Sequence, residues 1–192
     1  MPNFTDVWNK SGMILGAFSP EEGRVLYEKA MFCGVNALYV EIGSYLGRSS
    51  SILGQVANFN SSELICIDPF IDGCGQLNLL PEQMRGIFEA NMKKVGVKYK
   101  LYPMKSEEAE KQLQEIKIDL LFIDGDHRYE GVKTDCRLWF PKVKVGGYAL
   151  FHDYQGEGWP GVKKAVDEAI KSKQFTSEGI MQSLLVLRRI NG

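Results

Sequence analysis

From residue 35 onward the chain alternates short apolar runs with stretches in which apolar positions recur every three or four residues. The runs ALYVEI, LICID, KLYPM, DLLFID, YALFHD and SLLVLRR are short and apolar at most positions, which predicts strands. Between them SSSILGQVAN, the stretch from Pro81 to Val95, SEEAEKQLQEI, GVKTDCRLWF and GVKKAVDEAIKS read as helices, and Ser106 opens the third of these. Upstream, SPEE at residues 19–22 predicts a helix start. Ser19 can cap, Pro20 suits the first helical position, and Glu22 can reach back in a capping box, so that a helix of about 14 residues ends near Gly34.

Apolar strands separated by single helices call for a parallel sheet covered on both faces. In such sheets ligands bind beyond the carboxyl ends of the strands, near the point where strand order reverses. Glu41, Asp68, Asp124 and Asp153 each fall at or near the end of a different predicted strand, so four carboxylates are expected to rim one crevice. The chain has two histidines, and both stand beside these acids: His127 in LLFIDGDHRYE and His152 in ALFHDY. No repeat, low-complexity segment or linker interrupts residues 1–192, which predicts a single domain with residues 1–34 as a helical cap or lid and 35–192 as the core.

Composition narrows the partners. Hydrophobic residues make up 44% and charged residues 24%, as in an ordinary globular chain. The formal charge of −1 and a pI near 6.2 offer no attraction to nucleic acid or to an anionic membrane, and the pairs Lys93-Lys94 and Lys163-Lys164 read as solvated helix faces. Cys33, Cys66, Cys74 and Cys136 form no C-x-x-C pair and read as free thiols of a reducing compartment. With neither a leader-like start nor an apolar run of membrane-spanning length, a cytoplasmic location is expected.

The segment VEIGSYLGRSSS is a strand, a glycine turn and a helix start, where close backbone approach and free N–H donors suit a cofactor. A phosphate-binding P-loop would need Lys after Gly47, and this chain has Arg48. A dinucleotide fingerprint would need glycine where Tyr45 stands. The order Glu41, Gly43, Ser44, Tyr45, Gly47, Ser49 resembles instead the first motif of class I S-adenosylmethionine-dependent methyltransferases, and more narrowly of the catechol, macrolide and sugar O-methyltransferases. The likeness of motifs runs from Glu41 to Asp153.

The resemblance implies a Rossmann-like, doubly wound α/β fold with a mostly parallel seven-stranded sheet, helices on both faces and a short N-terminal helical extension. It implies S-adenosyl-L-methionine as cofactor, with Gly43, Ser44, Tyr45 and Ser49 along its methionine part, Asp68 on the ribose hydroxyls, and Ser106 near the adenine. Ser106 can equally serve as a helix N-cap. Glu41, Gly47 and Asp124 complete the expected cofactor set.

In the resembling families a divalent cation is held by an acid at Asp124 and by an acidic or amide pair at the positions of His152 and Asp153. An oxygen-rich set suits Mg²⁺, whereas the imidazole of His152 shifts the preference toward Mn²⁺ and other transition ions. His127 stands where these enzymes carry a basic group and is expected to act as general base. The expected reaction is O-methylation of a hydroxyl on a small molecule. An NAD-type oxidoreductase or a non-catalytic cofactor-binding domain are the alternatives. The aromatic residues Trp8, Phe18, Phe70, Tyr154 and Trp159 could stack on an acceptor, and are equally suited to core or homodimer contacts.

Overall fold

The computed structural model describes residues 2–71, 77–156 and 158–192. Seven strands form one sheet: β1 (Leu38–Ile42), β2 (Glu63–Ile67), β3 (Lys100–Tyr102), β4 (Ile118–Ile123), β5 (Val143–Phe151), β6 (Phe175–Met181) and β7 (Leu184–Arg189). Their order is β3-β2-β1-β4-β5-β7-β6, with β1 to β5 parallel and β7 antiparallel to both β5 and β6. The parallel order reverses between β1 and β4, which are neighbours.

Among the described residues seven α-helices cover the sheet: α1 (Phe4–Ser11), α2 (Pro20–Phe32), α3 (Arg48–Asn60), α4 (Pro81–Val95), α5 (Ser106–Gln112), α6 (Tyr129–Trp139) and α7 (Pro160–Ala169). Because strand side chains alternate, the sheet carries two cores. Tyr39, Leu64, Cys66, Leu120, Phe122 and Leu150 face Phe4, Leu26, Ile52, Leu53 and Phe88 from α1 to α4. On the other side Val40, Ile65, Leu121, Ile123, Ala149 and Phe151 face Ala109, Val132, Trp139 and Val166 from α5 to α7.

Local chemistry fixes the element starts. Ser19 and Glu22 form the expected capping box with Pro20 in the first turn, and α2 runs to Phe32. At β1 the chain leaves the sheet through Gly43 (φ +85) and enters α3 through Gly47 (φ +98). A Cβ on Gly43 would lie 2.1 Å from the backbone oxygen of Asp124. The constraint is therefore double, a left-handed conformation and a backbone neighbour that cannot yield.

Two elements depart from the sequence pattern. Strand β6, within FTSEGIM, is exposed at every position after Phe175, so an edge strand with solvent on both faces has no apolar run to announce it. Strand β5 begins at Val143, upstream of YALFHD, because Lys144 to Gly146 are exposed before the strand enters the core. Gly73, Gly75 and Cys74, from the loop before α4, lie outside the described residues. Among the described residues Cys33, Cys66 and Cys136 are free thiols, and no helix is long and apolar enough to cross a membrane.

Gly43→Ala is expected to cost about 3 kcal/mol or more in urea unfolding, combining left-handed strain with overpacking against backbone. Gly34→Ala, at φ +79 but with open space around it, should cost only about 1–2 kcal/mol. Equal losses at the two positions would remove the Gly43–Asp124 contact as a constraint.

Candidate active site

The four predicted carboxylates do gather at the carboxyl edge of the parallel strands, each held by a different local device. Glu41 is the fourth residue of β1, fully buried beneath the start of α3. Ser44 Oγ donates to its Oε2 at 2.6 Å and Ser50 Oγ donates to the same oxygen. Burial pushes the Glu41 carboxyl up to about 7, against the lowering effect of the serine hydroxyls. Small residues at 49 to 51 are what the space allows: all three serines are buried, and Ser51 Oγ reaches Ser11 Oγ at 2.6 Å.

Asp68 follows β2 and turns back toward the glycine loop. Its Oδ2 accepts from the backbone N–H groups of Ser44 and Tyr45, both at 2.7 Å, and its Oδ1 accepts from Phe70 N–H at 2.5 Å. Asp68 is thus the brace of the turn, a role that sequence spacing did not disclose. Burial raises its pKa against these three donors.

Gly43, Ser44, Tyr45, Arg48, Ser49 and Asp124 line a narrow pocket of about 40 Å³ with Leu15 to Phe18 over it. Arg48 holds the cover: its guanidinium donates to the carbonyls of Ile14 at 2.7 Å and Phe18 at 2.8 Å.

Beyond β4 and β5 the two histidines meet the remaining acids. His127 Nε2 lies 3.0 Å from Asp153 Oδ2 and 3.4 Å from Asp124 Oδ1. His152 Nδ1 is 3.3 Å from each of the same two carboxylates, and its Nε2 is 3.5 Å from Glu22 Oε2. Asp153 reaches this position through a left-handed backbone, φ +56, which aspartate tolerates better than most residues. Despite these distances, His127 Nε2 and both His152 nitrogens lack an aligned hydrogen-bond acceptor. They are ion-pair contacts around a common point.

The electrostatics follow from that crowding. Burial alone would lower both imidazoles, but Asp124 and Asp153 more than reverse it, raising His127 to about 9 and His152 to about 12. Burial would raise Asp124 and Asp153, and the two rings outweigh it, holding both carboxyls below their ordinary range. Glu22 is likewise brought down to about 2 by His152, Ser183 and Ser19 against its burial.

Asp124, His152 and Asp153 each offer one ligand atom, and these atoms lie within 4.8 Å of one another. Buried ring nitrogens without aligned partners, facing two carboxylates, fit a divalent cation. Trp159 stacks on His127 with ring centroids 4.6 Å apart and remains 38% exposed, forming a wall of the site.

Other expectations find different places. Ser106 is the first residue of α5 after Lys105 at the cap, so it is not the N-cap, and its hydroxyl donates to Asp135 on α6. Next to His127, Asp126 pairs with Arg128, and the Tyr129 hydroxyl donates to Glu168. Phe18, Phe70 and Tyr154 are buried and Trp8 packs against the core, leaving Trp159 as the exposed aromatic near His127. Glu22 reaches His152 from within the helix cap that its spacing from Ser19 predicts.

A family model described as a methyltransferase domain matches residues 40–154. The uncharacterized protein R132 of Acanthamoeba polyphaga mimivirus is 34% identical over 148 residues, covering 71% of this chain and 60% of that protein. The chain thus spans about 60% of the length of this curated relative, and 5% of an uncharacterized protein y4gI of Sinorhizobium fredii, which is 41% identical over 46 residues. Among solved structures, a putative O-methyltransferase from Klebsiella pneumoniae superposes with a TM-score of 0.76 at 15% identity, covering 100% of this chain and 92% of that one. The O-methyltransferase from Bacillus cereus in complex with SAH gives 0.74 at 12% identity, covering 100% and 93%. The chain belongs to the methyltransferase-domain family, and its fold is that of these enzymes.

Glu41 yields a pH test. A carboxyl raised from 4.5 to about 7 on folding contributes stability that is fully present below pH 4.5 and is lost as pH rises through about 7. Relative to wild type, Glu41→Gln should therefore gain stability between pH 4.5 and pH 8 in urea unfolding. A constant difference across that range would contradict a buried, elevated Glu41.

Proposed function

We propose that this methyltransferase domain is an S-adenosylmethionine-dependent O-methyltransferase acting on a hydroxyl of a small molecule, with His127 as general base and a divalent cation held by Asp124, His152 and Asp153. The observation that carries the reading is the meeting of both histidines with Asp124 and Asp153 beside the glycine turn.

When bound, S-adenosylmethionine would supply an electrophilic methyl group, and the cation would lower the pKa of an acceptor hydroxyl. The chain's own contribution is positioning and proton transfer. Gly43 would admit the cofactor close to backbone, and Ser44, Tyr45 and Ser49, which line the pocket beside Leu15 to Phe18, would flank it. Asp68 keeps the turn in shape, and the lone-pair capacity left on its Oδ1 suits a ribose hydroxyl. Ser106 stands toward the adenine side in this reading.

His127 would take the acceptor's proton through Nε2 as the oxygen bonds to the methyl carbon and the carbon–sulfur bond breaks. With Asp124 and Asp153 unneutralised, His127 holds its proton to about 9. A cation held by these carboxylates would weaken that hold and bring the imidazole toward the ordinary range near 6.5, where it would be an effective base at neutral pH. Trp159 supplies a flat wall for the acceptor.

Calorimetry is expected to detect binding of S-adenosylhomocysteine and none of NAD, with Asp68→Ala weakening the former by roughly 1–3 kcal/mol. Binding of NAD alone would favour an oxidoreductase. Once an acceptor is identified, His127→Ala should lower turnover by about two to four orders of magnitude with little change in cofactor affinity. In the wild type the His127 ring should titrate near 9 without divalent cation and lower with it. Full turnover after His127→Ala would exclude it as the base.

A further inference from the structure

His152 is held from behind by a residue of the N-terminal segment. Its Nδ1 points to Asp124 and Asp153, while Nε2 faces the opposite way, 3.5 Å from Glu22 Oε2. The ring is 5% exposed, leans on Phe18 at 5.2 Å between centroids, and has no aligned hydrogen-bond partner at either nitrogen.

Glu22 cannot swing away. Ser19 N–H and Oγ donate to its Oε2 at 3.0 and 2.9 Å. From the other side of the molecule, Ser183 N–H and Oγ donate to Oε1 at 3.1 and 2.7 Å, in the turn between β6 and β7. A capping box alone does not require this burial, since Glu22 is 2% exposed and a helix cap works on an open surface. Burying a carboxylate is costly unless it is paired, and the partner lying opposite its four donors is His152.

We propose that Glu22 is a positioning residue of the metal site, keeping Nε2 of His152 protonated toward itself and Nδ1 bare toward the cation. A metal-bound histidine usually donates its other N–H to a carboxylate or carbonyl, which fixes both ring orientation and tautomer. Helix α2 then does more than cover the core: it sets the ligand that distinguishes this site from the all-oxygen sets of the resembling families. The inference rests on the cation reading given above.

The test is a Mn²⁺ titration of the full chain followed by electron paramagnetic resonance, for wild type and Glu22→Gln. Glutamine removes the negative charge at constant shape, and its one carbonyl oxygen can accept from Ser19 or from Ser183 but not from both. The wild type should bind Mn²⁺, and Glu22→Gln should bind it about 10- to 100-fold more weakly, with an unchanged circular dichroism spectrum. Equal affinities would overturn the role of Glu22 alone, whereas no binding by wild type would overturn the cation reading together with it. Should the variant not fold, ¹⁵N spectra of the wild type with Zn²⁺ decide the matter. A metal-shifted Nδ1 and a protonated Nε2 on His152 are expected, and ligation through Nε2 would contradict the proposal.

Discussion

The turn after β1 can form only because nothing projects from Gly43 into the backbone of Asp124, 2.1 Å from where a Cβ would sit. This contact lies where the order of the parallel strands reverses, between β1 and β4. It sets the glycine turn beside Asp124, the carboxylate that meets both histidines. Asp68 braces the turn from the β2 side through Ser44 and Tyr45, and buried Glu41 anchors it from below through Ser44 and Ser50. A displaced turn would therefore disturb three carboxylates at once.

The histidine cluster depends on charge balance. Three carboxylates, Glu22, Asp124 and Asp153, surround two imidazoles, and mutual attraction holds both rings protonated despite their burial. The arrangement also explains why the N-terminal segment is integral to the molecule: Phe4, Ile14, Phe18 and Leu26 share a core with the sheet, and Glu22 contributes charge to the site.

Much of this was legible in the sequence because strands of a parallel sheet are apolar throughout and end abruptly at acids. The segment from Glu41 to Ser49 declares its turn through glycine spacing, and the acids after β2, β4 and β5 declare the edge. What was not legible depends on contacts distant in sequence. Glu22 reaches His152 and Ser183 across the fold, and Ser106 finds Asp135 on a neighbouring helix. No local pattern encodes such pairs. Strand β6 escaped for a different reason, since an exposed edge carries no apolar signal.

The central claim is that one edge of the sheet joins a methionine-derived cofactor to a cation beside His127. Anomalous diffraction from crystals soaked with Mn²⁺ and S-adenosylhomocysteine tests it most directly. One Mn²⁺ peak bounded by Asp124, His152 and Asp153 is expected, with the ligand lying along Gly43 to Ser49. A peak elsewhere, or a ligand seated away from that turn, would contradict it.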